Sequence, residues 1–278
     1  MSNLTQRLLT AAVAVPILIA AILWQNPIAV QLIVLGATGI GLREWMRMTL
    51  KGAPLLDHAF GIAGGSILAV VLCFFIEQPL VMPLAAAAGV IACFLWFLFR
   101  HGTIEEVAQR IAFVVVGWSY VLLLVFLALL KERRDGGAWV ILALTMAWGS
   151  DTGAYFAGRF LGPRWPRKLY EAVSPKKTVI GSIGGLLGGW LCVVLAKFWY
   201  APYFGLTLGW ADTFALAVPA NVLGQTGDLC ESLIKRSVGV KDSGALLPGH
   251  GGMLDRVDAL LFVAPWVYAY ARFLLGVF

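Results

Sequence analysis

The sequence predicts an all-α, polytopic integral membrane protein of about nine transmembrane helices, with a polar active site on its cytoplasmic side. Three observations carry this. Hydrophobic residues make up 60% and charged residues only 13% of the 278, against roughly 25% charge in a soluble domain. Apolar runs long enough for a ~30 Å hydrocarbon core recur along the whole chain. The remaining polarity is concentrated: eight ionisable or imidazole side chains fall within the 27 residues from Ser232 to Asp258, and charges at a membrane mark function by default because they are costly there.

Taken in order, the first span (8–24) follows Arg7, and no small-residue cleavage site comes convincingly after Trp24, so it reads as retained rather than as a signal peptide. The second (28–42) is short. Spans at 58–76, 80–99 and 111–130 are apolar runs of bilayer length, and 138–157 is apolar apart from Asp151. The span at 178–200 begins glycine-rich, 211–230 contains polar residues, and 254–275 opens on Asp255 and Asp258. No linker, low-complexity tract or soluble domain interrupts them. The chain is therefore expected to be one membrane domain, 1–278, with N-terminal spans to about 130 and a catalytic half at about 138–278. No fixed-period repeat appears, which argues against a transporter built from two similar halves.

Lysine and arginine placement sets the orientation. An inside N-terminus and an odd number of spans put 16 of the 21 basic residues in the cytoplasm. Lys131, Arg133, Arg134, Lys197 and Arg272 fall on the other side; the KERRD cluster at 131–135 runs against the rule, but inversion would place far more basic residues outside. The expected location is a bacterial-type inner membrane with the site facing the cytoplasm. The net charge of +6 then favours anionic membrane lipids and anionic soluble substrates. Nucleic acid is not an expected partner, because no soluble domain presents a groove. Cys73, Cys93, Cys192 and Cys230 stand singly, without a CxxC pair, and read as small buried hydrophobes.

Three segments break the apolar pattern, all on the cytoplasmic side. In Trp148–Gly162, Asp151 lies within an apolar helix with Tyr155 one turn on, while Gly153, Gly158 and Gly162 permit close approach of a helix or ligand. A buried, hydrogen-bonded carboxylate in a packing surface is the alternative. In Ser174–Gly185, Pro175 ends any preceding helix, and Lys176, Lys177 and Thr178 are expected to open the next. A helix start with two ammonium groups favours anions, although lysines here also serve as an ordinary positive-inside flank. The spacing is not that of a Walker loop, and the glycines from 181 to 189 suit helix packing.

The third segment runs from Gly227 to Asp258. Asp228, Ser232 and Lys235 (i, i+4, i+7) share one helix face, and Arg236, Lys241 and Asp242 follow. Pro248-Gly249-His250-Gly251-Gly252 is a turn with little Cβ bulk. Asp255, Arg256 and Asp258 then open the last span, and the two aspartates, spaced i, i+3, point the same way and can share a cation. Phosphate chemistry on a divalent metal wants this mixture: carboxylates hold Mg²⁺, Mg²⁺ bridges phosphates, and lysine and arginine neutralise the remaining charge. His250 suits a general base, a phosphate donor or a plain turn residue. Zinc is not expected, because His58 and His101 are far off in sequence and no cysteine pair assists.

The run Ser232-x-Ile234-Lys235-Arg236-x₄-Lys241-Asp242-x-Gly244-x₂-Leu247-Pro248-x-His250-Gly251-Gly252-Met253-x-Asp255-Arg256-Val257-Asp258 resembles the signature of the phosphatidate cytidylyltransferases, or CDP-diacylglycerol synthases. The SDTGAYFAGR and SPKKT blocks are similar to the same family's upstream segments, so the resemblance covers the C-terminal half. Two positions depart from it: Ile180 stands where Glu or Gln is frequent, and Ala259 where serine is usual. The resemblance implies transfer of a cytidylyl group from CTP to phosphatidic acid. It also implies Asp228 and Asp255 as metal ligands with Asp258 alongside, a monovalent cation such as K⁺ beside Mg²⁺, and a homodimer. Asp228, Lys235, Asp255 and Asp258 are then the catalytic candidates. Ser232, Lys176, Lys177, Arg236, Lys241, His250, Arg256 and Asp151 are the candidates for substrate and phosphate binding. The alternatives are another CTP-dependent lipid enzyme of the polyprenol or phytol kinase type, and an ion-coupled transporter. A transporter would scatter its acidic residues near mid-membrane across several spans, whereas here they cluster toward one face.

Overall fold

A computed structural model describes residues 3–100, 102–244 and 251–274. Its helices run α1 Asn3–Leu23, α2 Ile28–Thr49, α3 Leu55–Phe75, α4 Val81–Phe99, α5 Ile104–Val121, α6 Val125–Lys131, α7 Gly136–Phe160, α8 Val179–Phe198, α9 Trp210–Ser237 and α10 Leu254–Ala269. A 3₁₀ turn at Leu122–Leu124 joins α5 to α6, so that Ile104–Lys131 makes one apolar crossing. Each expected span falls on a helical stretch. Among the described residues, five stretches are long and apolar enough to cross a membrane: Ile28–Thr49, Leu55–Phe75, Val81–Phe99, Ile104–Lys131 and Val179–Phe198. The other helices of the C-terminal half carry the polar residues of the site, which lowers their hydropathy.

The chain is mostly helical, consistent with the expected all-α class, and one local expectation, the start of α8, differs. Lys168–Tyr170 (β1) and Ser174–Thr178 (β2) pair antiparallel, with Lys168 opposite Thr178 and Tyr170 opposite Ser174. Lys176 and Lys177 thus lie on a strand, and the helix opens one residue after Thr178, whose side chain accepts the Gly181 N–H as an N-cap (3.1 Å). Pro175 explains the shift: it has no N–H to give to a helix and biases Ser174 to extended backbone. Its carbonyl accepts from Lys168 Nζ at 2.6 Å.

Polar contacts gather at the two ends of the helices. At one end Lys51 Nζ donates to the Val238 carbonyl at 2.5 Å, and buried Asp57 accepts from Trp96 Nε1 at 3.0 Å and faces Arg110 at 3.6 Å. At the other, Gln31 donates to Glu132 (2.9 Å), Trp139 Nε1 to Asp135 (2.8 Å) and Tyr270 to Asp212 (2.7 Å). The core between them is filled by large side chains. Trp45 and Trp118 bury their rings and give their indole N–H groups to the carbonyls of Phe113 and Gly61, as buried tryptophans must.

Where the site forms, helices approach through glycine. Gly149 and Gly153 of α7 face Gly184 and Gly188 of α8; a Cβ added at Gly188 would lie 3.1 Å from the Gly153 Cα. Close backbone contact substitutes for the hydrophobic drive that lipid does not supply. Between α9 and α10, a Cβ at Gly227 would lie 2.7 Å from the Asp258 carbonyl. Gly188→Leu is therefore expected to destabilise the protein by about 1–3 kcal/mol, the cost of overpacking. Gly36→Ala, at a glycine with nothing within 4 Å, should be near neutral. Thermal melts in detergent would check this, and equal midpoints for the two variants would refute the glycine packing of α7 on α8.

Candidate active site

The C-terminal end of α9 supplies the centre of the site. Asp228, Glu231, Ser232 and Lys235 fall on one face at i, i+3, i+4 and i+7. Lys235 is 8% exposed, and its ammonium lies 3.2 Å from Glu231 and 2.6 Å from Asp255 in the first turn of α10. An ammonium removed from water needs such partners, because an unpaired buried charge costs several kcal/mol.

Asp255 uses both oxygens. Oδ1 takes Lys235; Oδ2 accepts from the Ser243 N–H (3.0 Å) and the Gly252 N–H (2.9 Å) and lies 3.0 Å from the Ser243 hydroxyl. A carboxylate in the first turn of a helix is favoured by the dipole and by the amides left without intrahelical partners. Asp258, one turn on, accepts among the described residues only from the neighbouring Ala259 N–H, at 2.7 Å. Its carboxylate is influenced by the charges of Asp228, Glu231 and Asp151. Asp255 and Asp258 thus accept from different donors within the chain.

The second part of the site is a cavity of about 450 Å³ between α7, β2, α8 and α9, lined in part by Asp151, Tyr155, Arg159, Lys176, Lys177 and Asp228. Lys177 reaches across from β2 to ion-pair with Asp228, whose other oxygen lies 3.5 Å from the Ser232 hydroxyl. Ser182 and Gln225 bridge α8 to α9 on the same wall: the serine hydroxyl bonds the glutamine carbonyl oxygen, and Gln225 Nε2 donates to the Ser182 backbone carbonyl at 3.1 Å. Asp151 is exposed on the cavity wall, where Asp228, Lys177 and Arg256 act on its charge.

The structure therefore brings together Asp151, Lys176, Lys177, Asp228, Ser232, Lys235, Asp255 and Asp258. Arg256 is exposed at the start of α10. Arg236 is exposed and donates to the Val240 carbonyl of its own turn (3.3 Å), and Lys241 is exposed in the bend that follows; neither lines the cavity. His250 lies outside the described residues. Among the described residues no three Asp, Glu, His or Cys side chains converge as a ready-made metal site. Sequence reading passed over Glu231, which the i+3 spacing from Asp228 could have revealed, and Glu44, a carboxylate at the end of an apolar span. It also passed over the Ser182–Gln225 bridge, for which no local signal exists.

The cytidylyltransferase family model matches residues 5–274. The chain is similar to a phosphatidate cytidylyltransferase of Bacillus subtilis (strain 168), 40% identical over 159 residues, which is 55% of this chain and 53% of that protein. It is also similar to one of Synechocystis sp., 45% identical over 139 residues (49% and 44%), and to one of Staphylococcus saprophyticus, 37% identical over 157 residues (56% and 55%). The chain spans about half the length of the curated relatives it matches. Matched along nearly its whole length, the chain belongs to the cytidylyltransferase family.

Proposed function

We propose that this protein transfers a cytidylyl group from CTP to phosphatidic acid, giving CDP-diacylglycerol and pyrophosphate. The observation that carries the reading is the cavity where Lys176, Lys177 and Arg159 stand beside Asp151 and Asp228 at one polar end of an apolar helix frame. There a lipid phosphate at headgroup level and a soluble polyanion meet the same groups. A phosphate oxygen of phosphatidic acid attacks the α-phosphorus of CTP, the bond from that phosphorus to the bridging oxygen breaks, and pyrophosphate leaves. The attacking monoester has a second pKa near neutrality (compare about 6 for phosphoserine) and needs no strong base. Catalysis then rests on alignment and on stabilisation of charge at phosphorus. Lys176, Lys177 and Arg159 bind and neutralise phosphate oxygens, and Lys235 holds the α9–α10 corner on which Asp258 stands.

The residues fit a hard divalent cation. Among the described residues no ion pair reaches Asp258, while its carboxylate is influenced by the Asp228, Glu231 and Asp151 charges; a cation would relieve that accumulation. Asp228 and Asp258 would hold Mg²⁺, which commonly takes one or two carboxylates with substrate phosphates completing the shell. Asp255 would join them only by exchanging Lys235 or its loop donors. When bound, the metal supplies charge neutralisation on the phosphates. The same reading places the protein in a bacterial-type inner membrane with this end of the helices in the cytoplasm, where CTP is.

Four outcomes test this proposal. Purified protein given phosphatidic acid and CTP labelled at the α- or γ-phosphate should place the α label in a CDP-lipid and the γ label in pyrophosphate; γ label in lipid would mean a kinase instead. In that assay Asp228→Asn and Asp258→Asn should each cost about 100-fold or more, the scale of one lost transition-state electrostatic contact, and near-normal turnover at saturating Mg²⁺ would remove them from the metal site.

A Lys176→Gln/Lys177→Gln double variant, correctly inserted, should raise the KM for CTP or phosphatidic acid by about 10- to 150-fold, corresponding to 1.5–3 kcal/mol for a charge-assisted contact. Unchanged kinetics in both substrates would leave these lysines a topological marker.

For orientation, Ala172→Cys and Tyr203→Cys, both at exposed positions, can be introduced singly into a cysteine-free background. In intact cells impermeant maleimide should label position 203 and spare 172 until the cells are opened. The opposite pattern would invert the protein.

A further inference from the structure

Glu44 lies near the end of α2, in the N-terminal part of the chain, yet it is built into the catalytic corner. It is 6% exposed. Its Oε1 accepts from the Met253 N–H at 2.9 Å, and its Oε2 accepts from the Leu254 N–H and the Ser243 hydroxyl, each at 3.0 Å. The two amides stand at the start of α10, where N–H groups have no intrahelical acceptor, and a buried carboxylate satisfies both with charge-assisted bonds. The same Ser243 hydroxyl lies 3.0 Å from Asp255 Oδ2, and Asp255 Oδ1 holds Lys235 at 2.6 Å. A continuous polar path therefore runs Glu44–Ser243–Asp255–Lys235.

Two glycines make room for it. A Cβ at Gly244 would sit 2.5 Å from Glu44 Oε1, and a Cβ at Gly252 would sit 2.5 Å from Oε2 and 2.7 Å from the Gly244 nitrogen. Any larger residue at either position displaces the carboxylate.

We propose that Glu44 is a positioning residue for cytidylyl transfer: it pins the 243–244 turn to the start of α10 and, through Ser243, sets Asp255 against Lys235. It lines no part of the cavity that takes the phosphates, so its effect belongs to alignment rather than to substrate affinity. This rests on the activity proposed above.

The test uses full-length protein in detergent, with turnover normalised to folded molecules. Glu44→Gln keeps the size of the side chain but presents an amide NH₂ toward donors. It should lower kcat about 10- to 100-fold, the scale of a small misplacement of reacting groups, with the KM for CTP and for phosphatidic acid moving less than about threefold. Ser243→Ala should lower kcat less, and its effect should vanish in the Glu44→Gln background because both act along one path. A kcat per folded molecule that stays at the wild-type level overturns the proposal. So does a rise in KM at constant kcat, or independent multiplying losses in the double variant. If Glu44→Gln does not fold, Ser243→Ala alone decides, and full kcat in that variant overturns the path. If the wild-type protein makes no CDP-lipid, the proposed activity fails by itself. Hydrogen exchange at Gly252–Asp255 then reads the pin without substrate: faster exchange in Glu44→Gln supports it and unchanged exchange overturns it.

Discussion

Lys235 carries its charge into a site that is 8% exposed, and desolvating an ammonium costs several kcal/mol unless partners replace the lost hydration. Glu231 supplies one partner from the preceding turn of α9, and Asp255 supplies another from a different helix. That second contact ties α9 to α10. Because the other oxygen of Asp255 gathers Ser243 and Gly252, it also draws the ends of the segment between those helices together. Ser243 in turn meets Glu44, so α2 is drawn into the same corner. Much of the geometry of the C-terminal half follows from the need to satisfy one buried charge.

Glycine lets the remaining charges come close. At the α7–α8 contact and at Gly227 on α9 the backbones approach to distances that a Cβ would forbid. As a result the α9 turn that carries Asp228 comes against the α10 turn that carries Asp258, and Asp151 of α7 lines the same cavity as Asp228. Lys177 meets Asp228 from a strand rather than a helix, because Pro175 keeps that stretch extended. Its position over the cavity is set by the pairing of β2 with β1, and β2 leads directly into α8. A short sheet among long helices thus aims a lysine into the cavity.

A substantial part of this was legible in the sequence. The bilayer admits backbone only as segments that satisfy their own hydrogen bonds, so each long apolar run had to be a helix, and the expected spans fall on helices. The shared face of Asp228, Ser232 and Lys235 followed from helical spacing alone, and the glycine series at 181–189 was rightly read as a packing surface. The β1–β2 pair was not legible: three and five residues with no alternation of polar and apolar side chains carry no strand signal.

What the sequence determined by itself, then, was the set of helices, the segments that hold the polar residues, and the kind of chemistry those residues suit, because these depend on composition and local period. Which charge meets which was decided only by the tertiary structure. Asp255 and Asp258 are three residues apart on one helix, but Asp255 meets Lys235 twenty positions away and Ser243 twelve away. Glu44 finds its partners 199 to 210 positions along the chain. Electrostatic pairing in a desolvated site depends on distance in space, and helix packing, not sequence spacing, sets that distance.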